Sequence, residues 1–123
     1  MISLTLPYPP TINHYYGVRG KSRYIKKAGL EFRKTVSKIA AEKKHKILSG
    51  RIQILIRASP PDKRTRDLDN ICKALLDSLT HAGVWEDDKQ IDDLHIFRSL
   101  VVRGGEIRVI IAELGEQGVD NER

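Results

Sequence analysis

Residues 67–83 read D-L-D-N-I-C-K-A-L-L-D-S-L-T-H-A-G and carry the strongest structural signal in the chain. Apolar side chains recur there at the three- and four-residue steps of one helical face, namely Leu68, Ile71, Cys72, Leu75, Leu76 and Leu79. The outward side carries Asp69, Lys73 and Asp77. Gly83 stands where a helix commonly ends. The stretch predicts an amphipathic helix in which Cys72 is a buried structural thiol.

Shorter patterns on both sides of this helix predict the remaining elements. Alternating apolar residues predict strands at 2–6 and 51–58, each ended by prolines. A further amphipathic helix is predicted at about 26–46. The β-rich runs 94–102 and 107–114 are separated by Gly104-Gly105, which predicts a hairpin. The order β-α-β-α-β-β indicates a mixed α+β fold, with two main helices covering a small mixed sheet.

The segment between the first strand and the first helix has no sustained periodicity. Residues 11–24 contain two glycines, several basic residues and three tyrosines, which predicts a mobile, basic, aromatic-bearing loop. Tyr15, Tyr16 and Tyr24 either stack on DNA bases exposed where strands part or pack against their own fold. Trp85, just before an acidic turn, is predicted to be a core anchor.

Length and composition favour one globular domain. A chain of 123 residues with one cysteine has no intramolecular disulfide and fits a reducing cytoplasm. We expect the domain to span residues 1–114, followed by a polar, frayed tail at 115–123. The N-terminal stretch lacks the basic start and length of a signal peptide or membrane span, so no membrane association is expected.

Charge is distributed unevenly along the chain. Residues 1–66 carry 16 Lys and Arg against 3 Asp and Glu, whereas residues 67–123 carry 6 against 13. A basic half attracts a polyanion, and nucleic acid is favoured over anionic lipid, although a solvated basic face is the plainer alternative. The acidic half needs a separate explanation.

The segment R-D-L-D-N at residues 66–70 supplies that explanation. If the segment is extended, Asp67 and Asp69 share one face while Leu68 turns into the core. A third carboxylate, from Asp87 or Asp88, is expected to return toward them after the helix. Clustered carboxylates are costly unless a hard cation neutralises them, and oxygen ligands favour Mg²⁺ or Mn²⁺. The alternative is that Asp67 or Asp69 is only a helix N-cap.

Two other polar residues near this segment, Lys73 and Asn70, have more than one interpretation. Lys73 lies one helical turn after Asp69. It either reaches a DNA phosphate group that the bound cation would also contact, or it forms an ordinary i,i+4 pair with Asp69. Asn70 ligates, orients a carboxylate, or caps the helix. The four histidines are scattered without metal-ligand spacing.

Three segments together resemble the RusA family of Holliday-junction resolvases, over residues 4–114. They are L-T-L-P-Y-P-P-T-I-N-H-Y-Y from Leu4, D-L-D-N-I-C-K-A-L-L-D from Asp67, and G-V-W-E-D-D-K-Q-I-D-D from Gly83. The resemblance implies a symmetric homodimer, often encoded by prophages, that binds a four-way DNA junction and nicks two opposed strands. It implies Mg²⁺-dependent phosphodiester hydrolysis, with Mn²⁺ as a substitute and no organic cofactor.

The resemblance also assigns residues. It implies that Asp67, Asp69 and Asp88 are the essential acids, which we expect to hold the metal, and that Lys73 is the important lysine, with Asp87 as a supporting neighbour. Asn70 is a further supporting candidate from its position alone. It implies a junction-facing basic surface, for which the candidate residues are Asn13, Tyr15, Tyr16, Arg19, Lys21, Arg23, Lys34, Lys38, Arg64 and Arg66.

Two other functions remain open from the sequence. One is a branched-DNA or flap nuclease with the same metal chemistry but without strict paired nicking. The other is a non-catalytic DNA-binding module, whose binding would depend on salt and ignore chelators.

Overall fold

A computed structural model describes residues 1–64 and 66–115 of the chain. The elements in chain order are β1 (Ile2–Leu6), α1 (Ile12–Tyr15), β2 (Tyr16–Arg19), β3 (Ser22–Ile25), α2 (Lys27–Glu42), β4 (Ile52–Ser59), α3 (Leu68–His81), the 3₁₀ helix η1 (Asp88–Gln90), β5 (Ile91–Arg98) and β6 (Glu106–Glu113). The predicted mixed α+β architecture is confirmed. Of the tail expected at 115–123, residues 116–123 lie outside the described residues.

The main sheet has four strands in the order β1-β6-β4-β5. β6 is antiparallel to both β1 and β4, whereas β4 and β5 run parallel. Alternation places every second side chain on the helix-covered face, where Leu4, Ile54 and Val109 are among the buried residues. Buried residues of α2 and α3 complete the same core.

The hairpin predicted around Gly104-Gly105 is wrong. β5 and β6 are not neighbours, because β4 lies between them. After β5 the chain crosses the end of β4, where Ser99 N donates to Ala58 O at 2.8 Å and Val102 N donates to Pro60 O at 3.0 Å. β6 alternates buried Ile107, Val109 and Ile111, and a central position in the sheet buries these side chains better than an edge.

The mobile loop predicted at residues 11–24 is also wrong. This segment forms the short helix α1 and an antiparallel hairpin of β2 and β3, which pair only with each other. Arg19 opposes Ser22, so a two-residue turn at Gly20-Lys21 closes the hairpin. These strands show no alternation of apolar and polar residues in the sequence, because most of the hairpin side chains are exposed.

The parallel pair β4 and β5 determines where α3 begins. Parallel neighbours need a crossover connection, and α3 provides it between these two strands. The start of α3 therefore follows the carboxyl end of β4, a common location for ligand sites in sheets with parallel strands. Among the described residues, no helix is both long and apolar enough to cross a membrane.

Residue 105 must be a glycine for two reasons: Tyr8 lies very close to it, and its backbone has a positive φ. Its φ is +80°, and an added Cβ would lie 2.6 Å from Tyr8 Cβ, whereas Gly104, with φ +83°, has no atom within 4 Å of such a Cβ. We expect Gly104→Ala to cost about 1–2 kcal/mol of backbone strain and Gly105→Ala to cost clearly more. Thermal unfolding of both variants measures the difference. Equal losses would show that the contact with Tyr8 does not constrain residue 105.

Candidate active site

The two aspartates of the D-L-D-N motif lie at the start of α3. Asp67 occupies the N-cap position with extended backbone (φ −86°, ψ 134°), and Asp69 lies in the first helical turn. The extended stretch predicted for residues 66–70 is therefore wrong beyond Asp67, because the helix begins at Leu68. Leu68 is half-buried against the core, which agrees with its predicted inward orientation.

Neither of these carboxylates has a side-chain partner among the described residues. Asp67 makes no side-chain capping hydrogen bond, so the simple N-cap alternative does not account for it. Both side chains are exposed, and within the part of the chain that the structure describes neither forms a hydrogen bond or an ion pair. A helix N-terminus favours negative charge, yet two nearby carboxylates repel each other. Their oxygens are therefore available to a cation.

Asp88 is held in place by the end of α3. Trp85 Nε1 donates to Asp88 Oδ1 at 3.1 Å and to Thr80 Oγ1 at 2.7 Å. The Thr80 hydroxyl also donates to Asp88 Oδ1. Trp85 is fully buried, which confirms it as a core anchor. The orientation of the Asp88 carboxylate is thus fixed by a rigid part of the core.

Asp87 caps η1. Its Oδ1 accepts from Lys89 N at 2.8 Å, and Gln90 Oε1 accepts from Asp87 N at 2.8 Å, which together form a capping box. Gln90 also donates to the carbonyl oxygens of Leu48 and Gly50, at 2.8 Å each. These bonds give Asp87 a structural role beside the predicted supporting one.

The structure does not bring the three predicted ligands into one cluster. Asp69 and Thr80, which holds Asp88, lie eleven residues apart on α3, or about 16 Å along its axis. Within residues 1–64 and 66–115, no three His, Cys, Asp or Glu side chains form a group that could hold a metal. The metal assignment of Asp67, Asp69 and Asp88 stays a prediction.

Two titratable groups of α3 lie in the electric field of these acids. Burial, and then the charges of Asp69 and Asp88, raise the pKa of the Cys72 thiol. Burial, and then the charge of Asp88, raise the pKa of the Asp77 carboxyl. Cys72 is half-buried rather than fully buried. A raised thiol pKa disfavours the thiolate, so Cys72 is unsuited to be a nucleophile.

Lys73 pairs differently from the sequence-based alternative. Its Nζ lies 3.5 Å from Asp77 Oδ2, one turn later on α3, so the predicted pair with Asp69 is wrong. The same Nζ lies 5.5 Å from the ring centroid of Tyr16, where an aromatic ring attracts a cation. Asp77 and Tyr16 together determine the position of the Lys73 ammonium group.

Arg64 and Arg66 share one acidic partner just before α3. Arg66 Nη1 lies 2.8 Å from Asp62 Oδ1, and Arg64 Nη2 lies 3.0 Å from Asp62 Oδ2. Hydrogen bonds, first from Arg66 and then from Arg64, hold the pKa of the Asp62 carboxyl far below its ordinary value. Two guanidinium groups against one carboxylate leave net positive charge beside Asp67.

An open groove of about 700 Å³ borders this cationic pair. Its walls are the proline-rich opening, the end of β4 and the start of α3, and its lining residues are Tyr8, Pro9, Pro10, Thr11, His14, Pro61, Arg64, Arg66, Asp67, Asn70, Ile71 and Gly104. Asn70 thus faces the same space as Asp67. A groove with arginines beside an unpaired carboxylate suits a phosphate-bearing ligand that also meets a metal ion.

The predicted DNA-contacting residues separate into accessible and inaccessible groups. The exposed members include Asn13, Arg19, Lys21, Arg23, Lys34 and Lys38. Tyr15 is fully buried, and its hydroxyl lies 2.9 Å from Ser78 Oγ and accepts from Arg33 Nε at 2.8 Å. The packing alternative therefore holds for Tyr15. Tyr16 is half-buried, whereas Tyr24 is 41% exposed.

The sequence did not indicate several residues that contact the candidate site residues. Tyr8, Asp62 and Thr80 contact the candidate residues through packing that no local pattern reveals. Asp62 and Arg66 are four residues apart, but that spacing indicates an ion pair only within a helix, and this segment is not helical. The contact of Tyr16 with Lys73 joins residues far apart in sequence.

Comparisons with known proteins agree on one family. The family model described as Endodeoxyribonuclease RusA matches residues 7–112. The chain is 47% identical over 110 residues to the crossover junction endodeoxyribonuclease of Enterobacteria phage HK97, covering 89% of this chain and 92% of the relative. It is 37% identical over 116 residues to the protein of the same name from Escherichia coli K12, covering 94% and 97%. The enzyme of Enterobacteria phage 82 is 37% identical over 115 residues, covering 93% and 96%.

Proposed function

The chain belongs to the RusA family of endodeoxyribonucleases, and from that membership we propose that it resolves Holliday junctions by nicking two opposed strands of a four-way DNA junction. The relatives that it matches over most of their length carry the name crossover junction endodeoxyribonuclease. The observation that supports the chemistry best is that Asp67, which lines the groove beside Arg64 and Arg66, and Asp69, two residues later, both have exposed carboxylates without a side-chain partner in residues 1–64 and 66–115.

We infer that hydrolysis depends on Mg²⁺, for which Mn²⁺ can substitute. Asp67 and Asp69 fit such an ion because they offer oxygen donors without a cationic partner in residues 1–64 and 66–115. Asp88 is the proposed third ligand, although Trp85 and Thr80 hold it near the other end of α3. A bound divalent ion would lower the pKa of a coordinated water and stabilise charge on the phosphate.

Cationic side chains would position the DNA strand. Arg64 and Arg66 line the groove beside Asp67 and carry more positive charge than Asp62 neutralises. Guanidinium groups bind phosphate oxygens in a bidentate manner. Lys73, held by Asp77 and Tyr16, is proposed to stabilise negative charge that develops on the phosphate during the reaction. No organic cofactor is needed for this hydrolysis.

We also propose that the active enzyme is a homodimer. A four-way junction has approximate twofold symmetry, and paired nicks on opposed strands require two active sites related in the same way. The relatives come from phages and bacteria, so the proposed place of action is DNA in the bacterial cytoplasm.

The test is cleavage of an end-labelled synthetic four-way junction in Mg²⁺, beside EDTA, the Asp67→Asn and Asp88→Asn variants, and a linear duplex of the same sequence. We expect symmetric paired nicks in the junction only, lost in EDTA and in both variants. The charge change in each variant is the same, so unequal losses would rank the two carboxylates.

Three other results would contradict parts of the proposal. Tight junction binding without cleavage in Mg²⁺ or Mn²⁺ would indicate a non-catalytic binding module. Equal cleavage of flaps and junctions would indicate a less specific nuclease. Full activity of Asp88→Asn would remove Asp88 from the proposed metal site while leaving the other two carboxylates in place.

A further inference from the structure

The β2–β3 hairpin has two chemically different faces. In an antiparallel pair, directly opposed residues share a face, and the faces alternate along the strands. The pairs Tyr16 with Ile25 and Val18 with Arg23 lie on one face, and the pairs Gly17 with Tyr24 and Arg19 with Ser22 lie on the other.

The first face is attached to the body of the protein. Tyr16 and Ile25 pack against the hydrophobic core, and the Tyr16 ring attracts Lys73 of α3. The second face therefore points away from this attachment. We call it the outer hairpin face, defined by Gly17, Arg19, Ser22 and Tyr24.

On the outer hairpin face, the Tyr24 ring lies directly against Gly17. A Cβ added at Gly17 would come within 2.4 Å of Tyr24 Cζ and 2.6 Å of Cε1. Gly17 is buried, while Tyr24 remains 41% exposed. Gly17 therefore packs against part of the aromatic ring, the Arg19 guanidinium lies over the ring, and the exposed part of Tyr24 is accessible to a ligand.

The charge around this ring favours a nucleic acid. Arg19 Cζ lies 5.2 Å from the Tyr24 ring centroid, and guanidinium planes, like aromatic rings, stack on nucleobases. Lys21, in the turn of the hairpin, is exposed, whereas Arg23 lies on the other face, with its Cζ 4.4 Å from the Tyr16 ring centroid. No Asp or Glu occurs before Glu31 in the sequence. An exposed aromatic ring beside cationic side chains is the usual combination for binding unpaired bases.

We propose that the outer hairpin face binds an unpaired nucleobase at the branch point of the DNA, with Tyr24 as the stacking platform and Arg19 as its cationic flank. This inference rests on the proposed function, because a branch point is where base pairs of the substrate open most readily. It assigns to one tyrosine of the three a direct role in distinguishing a junction from a linear duplex.

The experiment uses a four-way junction carrying 2-aminopurine at the branch point, and a linear duplex carrying the same base within a pair, both in EDTA so that the DNA stays uncut. We expect the wild-type protein to quench 2-aminopurine in the junction by stacking. Tyr24→Leu should abolish this quenching and weaken junction binding roughly tenfold, with little effect on duplex binding. Tyr24→Phe keeps the ring and should retain both signals.

Two further variants test whether the position of the Tyr24 ring on the outer hairpin face is what matters. Gly17→Ala leaves Tyr24 in the chain but displaces its ring, so it should reproduce much of the Tyr24→Leu effect. Val18→Ala alters a 73% exposed residue on the opposite face of the hairpin and should behave like wild type. Circular dichroism of each variant checks that the fold is retained.

The outcomes separate this inference from the proposed function. If wild type cleaves junctions in Mg²⁺ but Tyr24→Leu quenches and binds like wild type, the stacking site is overturned and the resolvase function stands. The stacking site is also overturned if Tyr24→Leu weakens junction binding and duplex binding equally, because an equal loss indicates only a general contact with the DNA backbone. If wild type cuts no junction at all, the proposed function itself fails.

Discussion

Asp69→Asn should reduce junction cleavage about a thousand-fold while junction binding stays equal or becomes slightly tighter. Asp69 is exposed and unpartnered among the described residues, so removing its charge costs the fold no more than its interaction with the α3 dipole, about 0.3–1 kcal/mol. A site that stabilises charge in the transition state loses rate by this order when one essential group is removed. If DNA binds at the start of α3 as proposed, removing a negative charge there reduces the repulsion of DNA. Single-turnover cleavage and gel-shift titration measure the two effects.

The matched control for this variant is Asp93→Asn. Asp93 lies on β5, where its carboxylate pairs with His95 at 2.9 Å, away from the start of α3. The same Asp-to-Asn change there should leave the cleavage rate within about twofold, as expected for a surface site of marginal energy. If Asp69→Asn lost binding and cleavage together, the carboxylate would be structural and the metal assignment would fail.

Leu75→Ala should produce a large loss of stability. Leu75 is fully buried between the helix layer and the sheet. Its replacement removes buried apolar atoms and leaves a cavity, at a cost of about 2–5 kcal/mol. For a domain of this size, that corresponds to a decrease in Tm of about 10 °C or more. Thermal unfolding followed by circular dichroism measures it.

The comparison for this variant is Leu30→Ala on α2, where the leucine is 55% exposed. The chemical change is identical, yet the expected effect is within about 0.5 kcal/mol. Below its lowered Tm, Leu75→Ala should still cleave junctions, since no proposed catalytic atom is removed. Similar losses of stability at both positions would mean that α3 is packed less tightly than the structure indicates.

The elements with strong periodicity could be predicted from the sequence. The apolar stripe of α3 placed Ile71, Leu75 and Leu79 in the core, and the alternation in β4 did the same for its isoleucines. Strand pairing could not be predicted in the same way. Alternation in β6 shows that one face is buried, but it does not identify the neighbouring strands, so two adjacent runs were interpreted as a hairpin.

In the candidate site too, some features could be predicted from the sequence and others could not. Residue type and spacing were sufficient to select Asp67 and Asp69, and the structure finds them exposed and without a structural partner in its described part. Whether a tyrosine packs or is accessible depends on contacts distant in sequence, such as the hydrogen bond of Tyr15 with Ser78. The position of the Asp88 carboxylate depends in the same way on Trp85 and Thr80.

The position of β6 has a consequence for how the protein is made. Of the strands in residues 1–64 and 66–115, this one comes last in sequence, yet it lies between β1 and β4. During translation, β1 is therefore without its hydrogen-bonding partner β6 until nearly every other element has been synthesised. Such long-range pairing slows folding and leaves strand edges open for longer. The nascent polypeptide cannot complete the sheet, and so cannot become a nuclease, before β6 has left the ribosome.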